Sequence, residues 1–424
     1  MGTLLRRSRT AAKCLGSLPA AALLALSGCG IAIAADEDPG TPAKAPAAAS
    51  APAADAAAPA SGDAAPAADA TAPANADTAA KAPAPSEFHG SVELNNQYSP
   101  DTDPLRATLS LSYSNLFSTQ DETSALYQIA PQDPHQVGVF VGSYTAHPLP
   151  DGLQRSLYFI DSNTNVPGSD AAGGVLGKGQ VIGVRMSHAL GSATQSLTLG
   201  FDYKHFSNAT LRDDGSVSST PVSYLNLSLA YAGRWTEAQR DAALTVSANF
   251  GPHGGANTAN AYAEDDFRER ADYFYVRADA ELVTPLPKGV RLYLRLAGQY
   301  SHQSLIIDED YPVAGSDGVR GYLEAEVLGD RALKSTVQLQ SPPWQRGTRQ
   351  IADGFVFFDA AAAQMVAPLP GELAQAHPRS WGIGVDLVPR KNITGSLVWA
   401  RPLVSTDFTR ADESRILFLL RGSF

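Results

Sequence analysis

The sequence predicts an all-β fold, a 16-stranded antiparallel transmembrane β-barrel. Apolar and polar residues alternate along many segments of about ten residues, which is typical of strands with one apolar and one polar face. These segments are longer than most strands of soluble sheets. An export signal precedes them. An apolar face toward lipid and a polar face toward a lumen accounts for these observations together.

Composition excludes two other classes of protein. The chain has 424 residues, of which 44% are hydrophobic, and a formal net charge of −11. Its mean hydropathy is −0.13. No run of 18 or more apolar residues follows residue 35, which excludes a bundle of membrane-spanning helices. The acidic balance also argues against a nucleic-acid partner, since such proteins usually carry a basic patch.

Residues 1–34 are predicted to be a signal peptide. Basic residues between Arg6 and Lys13 precede an apolar segment, and Ala32 and Ala34 form an A-x-A cleavage site. A second interpretation is a lipoprotein signal, because the sequence L-S-G-C that ends at Cys29 resembles a lipobox. Cleavage after Ala34 and lipidation at Cys29 are both left open by the sequence.

Residues 35–86 are predicted to be a disordered periplasmic linker. Of the 51 residues from Asp36 to Ser86, 24 are alanine and nine are proline. Such a segment buries too little apolar surface to offset the entropy lost on ordering. The two cysteines, Cys14 and Cys29, both precede this linker. The barrel therefore has no thiol for a disulfide or for a cysteine-based metal or redox site.

Residues 87–424 are predicted to form the barrel itself. In 105–113, Leu105, Leu109 and Tyr113 lie on one face and Arg106 on the other. The predicted number of strands is even, as a closed bacterial barrel requires. The predicted strands are 90–98, 105–116, 123–131, 136–147, 154–163, 178–190, 194–206, 222–235, 240–251, 272–286, 290–302, 333–341, 354–361, 380–389, 393–403 and 414–424.

The connections predict the orientation of the barrel. They are mostly short after even-numbered strands, as at 287–289 and 390–392. Short turns mark the periplasmic side of such barrels and long loops the exterior, so both ends of the chain are expected in the periplasm. The chain ends in Phe424, which resembles the signal read by the barrel-assembly machinery. Several connections after odd-numbered strands are long: 164–177, 207–221, 252–271, 303–332 and 362–379.

The longest loop contains the most informative motif. It reads V-R-G-Y at 319–322 and continues with acidic residues and glycine. Here the sequence resembles the ShlB/FhaC/HecB family of haemolysin secretion/activation proteins, which are two-partner-secretion transporters of the BamA superfamily. A second family motif, F-x-D-x-G, matches Phe357 and Asp359 but departs at Ala361. The resemblance covers about residues 87–424. The matching loop residues are Val319, Arg320, Gly321, Tyr322, Glu324, Glu326, Gly329 and Asp330.

The resemblance implies a role for the motif. In the family the loop arginine meets the strand aspartate inside the barrel, so Arg320 is expected to pair with Asp359. An arginine in a confined lumen needs a carboxylate, and such pairs can be bidentate and strong. Gly321 would allow a tight turn beside it. Tyr322 would pack on the lumen wall.

The function implied is export or insertion of a polypeptide across the bacterial outer membrane, without a nucleotide or cofactor. The implied partners are outer-membrane lipid, the barrel-assembly machinery and a secreted client polypeptide. Family members carry POTRA domains before the barrel, and these receive the client. This sequence has the alanine- and proline-rich linker at that place, which predicts a reduced relative without POTRA domains.

Two other functions are compatible with the sequence. One is a passive porin-like channel, for which polar residues on the predicted inner face would line the lumen. The other is a lipid A deacylase-like enzyme, since His205 and Ser207 match an H-x-S-N pattern and share one face of a strand. No metal-ligand cluster is expected among the eight histidines. The predicted lumen residues are Arg106, Arg185, Asp202, Arg277, Glu281, Arg291 and Arg295.

Overall fold

The computed structural model describes residues 88–166, 175–191, 194–211, 217–237, 240–252, 272–346, 349–368 and 374–424. The predicted signal peptide, the predicted linker and Cys29 lie outside these ranges. Among the described residues, no helix is both long enough and apolar enough to cross a membrane.

Sixteen long strands form one sheet in the described part of the chain. Neighbouring strands are connected in sequence and run antiparallel. The strands are β1 (Phe88–Asn95), β2 (Arg106–Ser114), β3 (Glu122–Ile129), β4 (Val137–Thr145), β5 (Gln154–Val166), β6 (Val175–Ala189), β7 (Gln195–Leu211), β8 (Val217–Glu237), β9 (Arg240–Phe250), β10 (Phe274–Pro285), β11 (Arg291–Ser301), β12 (Arg331–Gln340), β13 (Arg349–Gln364), β14 (Arg379–Arg390), β15 (Ile393–Pro402) and β16 (Arg415–Ser423).

The sheet closes on itself between its first and last strands. β1 pairs antiparallel with β16, from Ser91 opposite Ser423 to Asn95 opposite Leu419. Gly90 and Phe424 exchange two further backbone hydrogen bonds of 2.9 and 2.8 Å. The predicted 16-stranded antiparallel barrel is therefore confirmed. A closed barrel leaves no sheet edge unpaired, as a membrane-spanning sheet requires.

The two faces of the strands have opposite character, as the alternation predicts. On β7, Leu199, Phe201 and Tyr203 point outward and are exposed, whereas Asp202 and Lys204 point inward and are buried. The same division holds on β10, where Phe274 faces outward and Tyr275 inward. The outer face is therefore apolar and the lumen is lined by polar and aromatic side chains.

Four strands continue well past their predicted ends. Strand occupies part of each of the loops expected at 164–177 and 207–221, because β5 reaches Val166, β6 begins at Val175, β7 reaches Leu211 and β8 begins at Val217. At 21 residues, β8 is about twice as long as a membrane crossing needs. The sequence here is rich in Ser and Thr. Once strands extend past the lipid, their outer face no longer needs to be apolar, so the alternation fades.

The longest connection, residues 302–330, lies between β11 and β12 and is folded into the lumen. We call it the inserted loop. It contains one 3₁₀ turn, Ile307–Glu309. It also contains a pair of two-residue strands, Tyr311–Pro312 and Leu328–Gly329. The strand pair divides the inserted loop into a first arm, residues 303–310, and a second arm, residues 311–329.

Candidate functional site

The second arm is held closed by its own backbone. The amide of Val313 donates to the carbonyl of Val327 at 3.0 Å, and the amide of Val319 donates to the carbonyl of Val313 at 2.8 Å. Gly318 lies where a Cβ would be 2.2 Å from the carbonyl oxygen of Val313. Only glycine allows this close approach. The arm is therefore a compact wedge rather than an open loop.

Arg320 lies at the tip of this wedge and contacts two strands of the lumen wall. Its Nε is 2.7 Å from Oδ2 of Asp359 on β13, and its second terminal nitrogen is 3.0 Å from Oδ1. The remaining terminal nitrogen donates to Oε1 of Gln338 on β12 at 2.9 Å. Asp359 is fully buried and also accepts a 2.9 Å bond from Thr336. The pair is bidentate, the strongest arrangement of these two groups.

An aromatic side chain supports the guanidinium from below. The ring centroid of Phe357 is 3.5 Å from the central carbon of Arg320. Phe357 and Asp359 are two residues apart on β13, so both face the lumen, while Phe358 faces outward. On the neighbouring strand, a Cβ at Gly382 would be 2.5 Å from the Phe357 ring. The ring thus lies flat over a glycine and under the arginine.

The next two motif residues fit against the neighbouring strands, β14 and β15. Gly321 has a φ of +96°, which favours glycine, and a Cβ there would be 3.1 Å from that of Ala400. Tyr322 is 2% exposed. Its hydroxyl lies 2.7 Å from the carbonyl oxygen of Val404 and 3.0 Å from that of Arg379. Ala361, where the family usually has glycine, packs in the same apolar cluster as Tyr322.

The acidic residues of the motif brace the second arm internally. Glu324 accepts a 2.7 Å bond from the amide of Ser316, and Glu326 accepts bonds from the amide of Leu323 and from the hydroxyls of Thr406 and Thr409. Burial raises the pKa of Glu324 and of Glu326 above the ordinary value, and these hydrogen bonds offset it only in part. Neither carboxylate forms an ion pair within 4 Å among the described residues.

Asp330 connects the base of the inserted loop to two other segments. One carboxylate oxygen accepts a 2.6 Å bond from the amide of Leu305 in the first arm. The other accepts a 2.7 Å bond from the amide of Val366, just after β13. At Gly329, a Cβ would be 2.9 Å from the amide nitrogen of Gln364. These last two motif residues therefore fix where the loop returns to the wall.

The first arm is attached elsewhere, by Glu309. Its Oε1 is 2.5 Å from Nζ of Lys204 on β7 and 2.6 Å from the hydroxyl of Tyr224 on β8. Its Oε2 accepts a 2.6 Å bond from Tyr275 on β10. Its backbone carbonyl accepts a 3.2 Å bond from Arg277. Gln299 on β11 donates a 3.0 Å bond to the same carbonyl. Four strands thus converge on one loop residue that is 1% exposed, three of them on its carboxylate.

Apolar contacts reinforce this attachment. Leu305 and Ile306 lie in one buried cluster with lumen-facing residues of β4 to β8 and β10, including Phe206, Tyr224 and Tyr275. Close by, Arg185 and Asp202 form an ion pair of 2.5 Å. The first arm is therefore packed into the β4–β10 side of the lumen.

Most of the predicted lumen residues are joined in ion pairs and hydrogen bonds. Arg295 on β11 contacts Asp279 and Asp317, each at 2.6 Å, and Lys334 on β12 contacts the same Asp317 at 2.5 Å. Glu281 lies 3.4 Å from Arg295 and Arg291 lies 3.6 Å from Asp353. Arg106 is buried at the end of β2, where it donates to Thr102.

A cavity remains below the wedge. Its polar lining includes Arg295, Asp317, Arg320 and Gln338, and its apolar lining includes Phe355 on β13 and Leu417 on β16. Space is thus left on the β11–β16 side of the lumen.

The family model of the haemolysin secretion/activation protein ShlB/FhaC/HecB matches residues 79–361. The chain belongs to this family. The match includes the whole inserted loop and ends two residues after Asp359. A comparison with curated protein sequences finds no match.

Solved structures share the fold of this family member. CdiB from Escherichia coli superposes with a TM-score of 0.63 at 15% identity, over 81% of this chain and 64% of that chain. CdiB from Acinetobacter baumannii gives 0.59 at 15% identity, over 80% and 60%. BamA from Haemophilus ducreyi lacking POTRA domains 1–3 gives 0.59 at 12% identity, over 80% and 70%. The chain thus spans less than two thirds of the CdiB chains that it matches.

The residues behind the enzyme alternative are arranged differently from a catalytic pair. Nδ1 of His205 lies 2.7 Å from the hydroxyl of Ser223 on the paired strand β8. This cross-strand bond engages Nδ1 of the imidazole with Ser223, and it gives the deacylase hypothesis no support. In the ranges that the structure describes, no group of three or more potential ligands has the arrangement of a metal site.

The attachment of the first arm is not among the sequence-based expectations. A signal for it was present: Lys204 falls on the inner face of a strand, where a buried cation needs an anion. The loop supplies three consecutive acidic residues, Asp308, Glu309 and Asp310. The 3₁₀ turn at Ile307–Glu309 determines which of them meets Lys204. The path of the first arm is in turn set by packing, which the sequence alone does not specify.

Proposed function

We propose that this chain is a translocator that exports or inserts a polypeptide client across the bacterial outer membrane, using the barrel lumen as its route. The observation that carries the proposal is the wedge folded into the lumen with Arg320 joined to Asp359. Membership of a secretion/activation family supports the same conclusion. We assign no cofactor to the process.

In this proposal the V-R-G-Y element sets the resting position of the wedge. Arg320 needs Asp359, Gln338 and Phe357 together, and these come from two adjacent strands. A client passing through the lumen has to displace the inserted loop, since both arms occupy the inner face. The ion pair then gives the loop a defined position to which it returns. Val319, Gly321 and Tyr322 position Arg320 so that its guanidinium is level with Asp359 along the barrel wall.

The same proposal includes the domain arrangement and the orientation. Residues 1–34 direct export, residues 35–86 form a periplasmic linker, and both the linker and the C-terminus of the chain lie in the periplasm. The short turns between β10 and β11 and between β14 and β15 lie at the periplasmic end. Phe424, bonded to Gly90 at the barrel seam, serves as the signal for the barrel-assembly machinery. The outer face of the strands contacts outer-membrane lipid.

The test compares what the bacterium secretes with and without this chain. The gene is deleted and complemented, and proteins in the culture medium and periplasm are quantified by mass spectrometry. We expect at least one polypeptide to be lost from the medium, to accumulate behind the membrane and to return on complementation. Unchanged secretion together with altered permeability to small solutes would instead establish the porin-like alternative.

Two substitutions make the test specific to the site. Arg320→Ala should reduce secretion strongly while the barrel still assembles, as heat-modifiable migration on gels reports. Arg320→Lys keeps the charge but loses the planar fork that bonds Asp359 twice, so we expect an intermediate loss. Equal secretion by both variants and the unmodified chain would refute the role of the ion pair.

A further inference from the structure

Outside the recognised motif, Asp317 attaches the second arm to Arg295 and Lys334 of the lumen wall. Glu309 carries a charged attachment of the first arm. Its carboxylate accepts from Lys204, Tyr224 and Tyr275, all within 2.6 Å. Lys204 and Glu309 are 3% and 1% exposed, respectively. Loss of one partner of a buried pair leaves the other charge without compensation, which is far more costly than loss of an exposed pair. This attachment is thus sensitive to a change of one atom.

The first arm has little backbone structure of its own. Its internal hydrogen bonds are those of the 3₁₀ turn, from the amide of Glu309 to Ile306 and from the amide of Asp310 to Ile307. The second arm, in contrast, is closed by backbone bonds at Val313 and Val319. The first arm therefore depends on the wall for its position.

The two arms also pack in different apolar clusters. Leu305 and Ile306 belong to the cluster of β4–β8 and β10. Val313, Val319 and Tyr322 belong to a separate cluster with Ala361 and Ala363 of β13. A movement of the first arm away from the wall thus breaks contacts of one cluster and leaves the other intact.

We propose that the first arm is a separate gate and that Glu309 is the positioning residue that closes it. The gate opens when residues 303–310 leave β7, β8 and β10 while Arg320 stays on Asp359. Opening exposes a wall lined by Lys204, Arg277 and tyrosines, and widens the lumen on that side. The importance of the gate for transport rests on the proposed function, but its movement does not.

Cysteine reporters test the movement directly. The only cysteines in the sequence are Cys14 and Cys29, in the predicted leader, so a single introduced thiol is readily distinguished. Ile306→Cys places a thiol in the first arm and Ala314→Cys places one in the second arm, at positions that are 1% and 4% exposed. Each is combined with Glu309→Gln, which removes the charge and keeps the shape. Labelling by a polar maleimide is followed in purified, detergent-solubilised full-length protein.

We expect Glu309→Gln to speed labelling of the thiol at position 306 by about tenfold or more, since a charge-assisted bond is lost. Labelling at position 314 should not change. Glu326→Gln is the matched control, because it neutralises a buried loop carboxylate that faces no cation within 4 Å among the described residues. It should leave position 306 protected. Heat-modifiable migration confirms that each variant forms a barrel.

Two results would overturn the proposal. Equal acceleration at both thiols would mean that the inserted loop moves as one body, and no acceleration at position 306 would mean that Glu309 does not hold the arm. Planar-bilayer recording adds a second readout, in which Glu309→Gln should open more often or to a higher conductance. Neither labelling nor conductance requires a client polypeptide. A failed secretion test would therefore count against the proposed function but not against the movement of the first arm.

Discussion

The two arms of the inserted loop occupy the same lumen but are held in opposite ways. The second arm folds on itself through backbone bonds and presents Arg320 to one pair of strands, β12 and β13. The first arm has a single 3₁₀ turn and presents Glu309 to three strands, β7, β8 and β10. The second arm thus carries Arg320 to Asp359, and its Asp317 also meets Arg295 and Lys334. The first arm carries the Glu309 carboxylate to Lys204 and to two tyrosine hydroxyls.

The second arm is therefore a self-supporting wedge, whereas the first arm takes its shape from the wall. A segment that satisfies its own backbone keeps its shape when it leaves the wall, whereas a segment that depends on the wall loses its shape. The ion pairs also differ in their surroundings. Arg320 is stacked on Phe357 beside a cavity, while Glu309 is enclosed by side chains. The 29 residues between β11 and β12 thus combine a second arm that is rigid with a first arm that is ordered only while it contacts the wall.

The largest effect is expected from Asp359→Ala, which would release the second arm alone. Arg320 would remain as a buried cation without its carboxylate, and breaking such a pair costs about 3–5 kcal/mol. Labelling of a thiol at position 314 should accelerate strongly, while a thiol at position 306 stays protected. Thr336→Val, which removes one hydrogen bond to the same carboxylate, is the milder control. Release of both thiols together would show that the arms are coupled.

A smaller effect is expected from Gly318→Ala, which tests whether the wedge shape matters. The added methyl group would lie 2.2 Å from the carbonyl oxygen of Val313, and such overpacking costs about 1–3 kcal/mol. The thiol at position 314 should again label faster. At Gly138 on β4 an added Cβ meets nothing within 4 Å, so Gly138→Ala should leave labelling unchanged. Identical results for the two alanine variants would refute the close approach.

The sequence predicts the second arm far better than the first, for a physical reason. Val319 to Tyr322 form a contiguous motif because a self-closed wedge needs neighbouring residues with defined roles. The alternation along each strand likewise distinguishes a face toward lipid from a face toward the lumen. For this reason the 16-stranded barrel was predictable from sequence. The Glu309 attachment joins residues 34 to 105 positions away, and no local pattern encodes such a convergence. The extended ends of β7 and β8 were missed because their outer faces no longer meet lipid.

A modest effect is expected from Tyr322→Phe, which keeps the ring of the wedge and removes its hydroxyl. The hydroxyl has a single proton, so one of the two carbonyls, that of Val404 at 2.7 Å or that of Arg379 at 3.0 Å, would lose a hydrogen bond, at a net cost of about 0.5–1.5 kcal/mol. Labelling at position 314 should rise slightly. Tyr300→Phe is the control, since Tyr300 lies on the exposed outer face. A full release of the second arm would mean that the hydroxyl matters more than the packing.

The smallest effect is a pH dependence confined to the second arm. Burial raises the pKa of Glu324 and of Glu326 in the closed arm above the 4.5 of the exposed group. Protonation therefore favours the closed arm. This contribution is complete below pH 4.5 and is lost as pH rises through the raised pKa values. Asp317 acts at lower pH: burial favours its protonated form, but Lys334 and Arg295 bring its pKa below 3.8. The cations that face these glutamates are Arg106, beside Glu324, and Arg415, beside both.

Labelling at position 314 should thus be slower at pH 5 than at pH 8 after correction for thiolate reactivity. That correction comes from a Phe117→Cys variant, since Phe117 is 74% exposed in the turn after β2. The double variant Glu324→Gln/Glu326→Gln should label at the same corrected rate at both pH values. A corrected rate that rises at pH 5, or a pH dependence that survives in the double variant, would assign the effect to other groups.

The thiol at position 306 serves as the internal comparison, because Glu309 is held ionised by Lys204 and Arg277, which lower its pKa against the effect of burial. The corrected labelling rate at position 306 should therefore be the same at pH 5 and pH 8, whereas the rate at position 314 should fall toward pH 5.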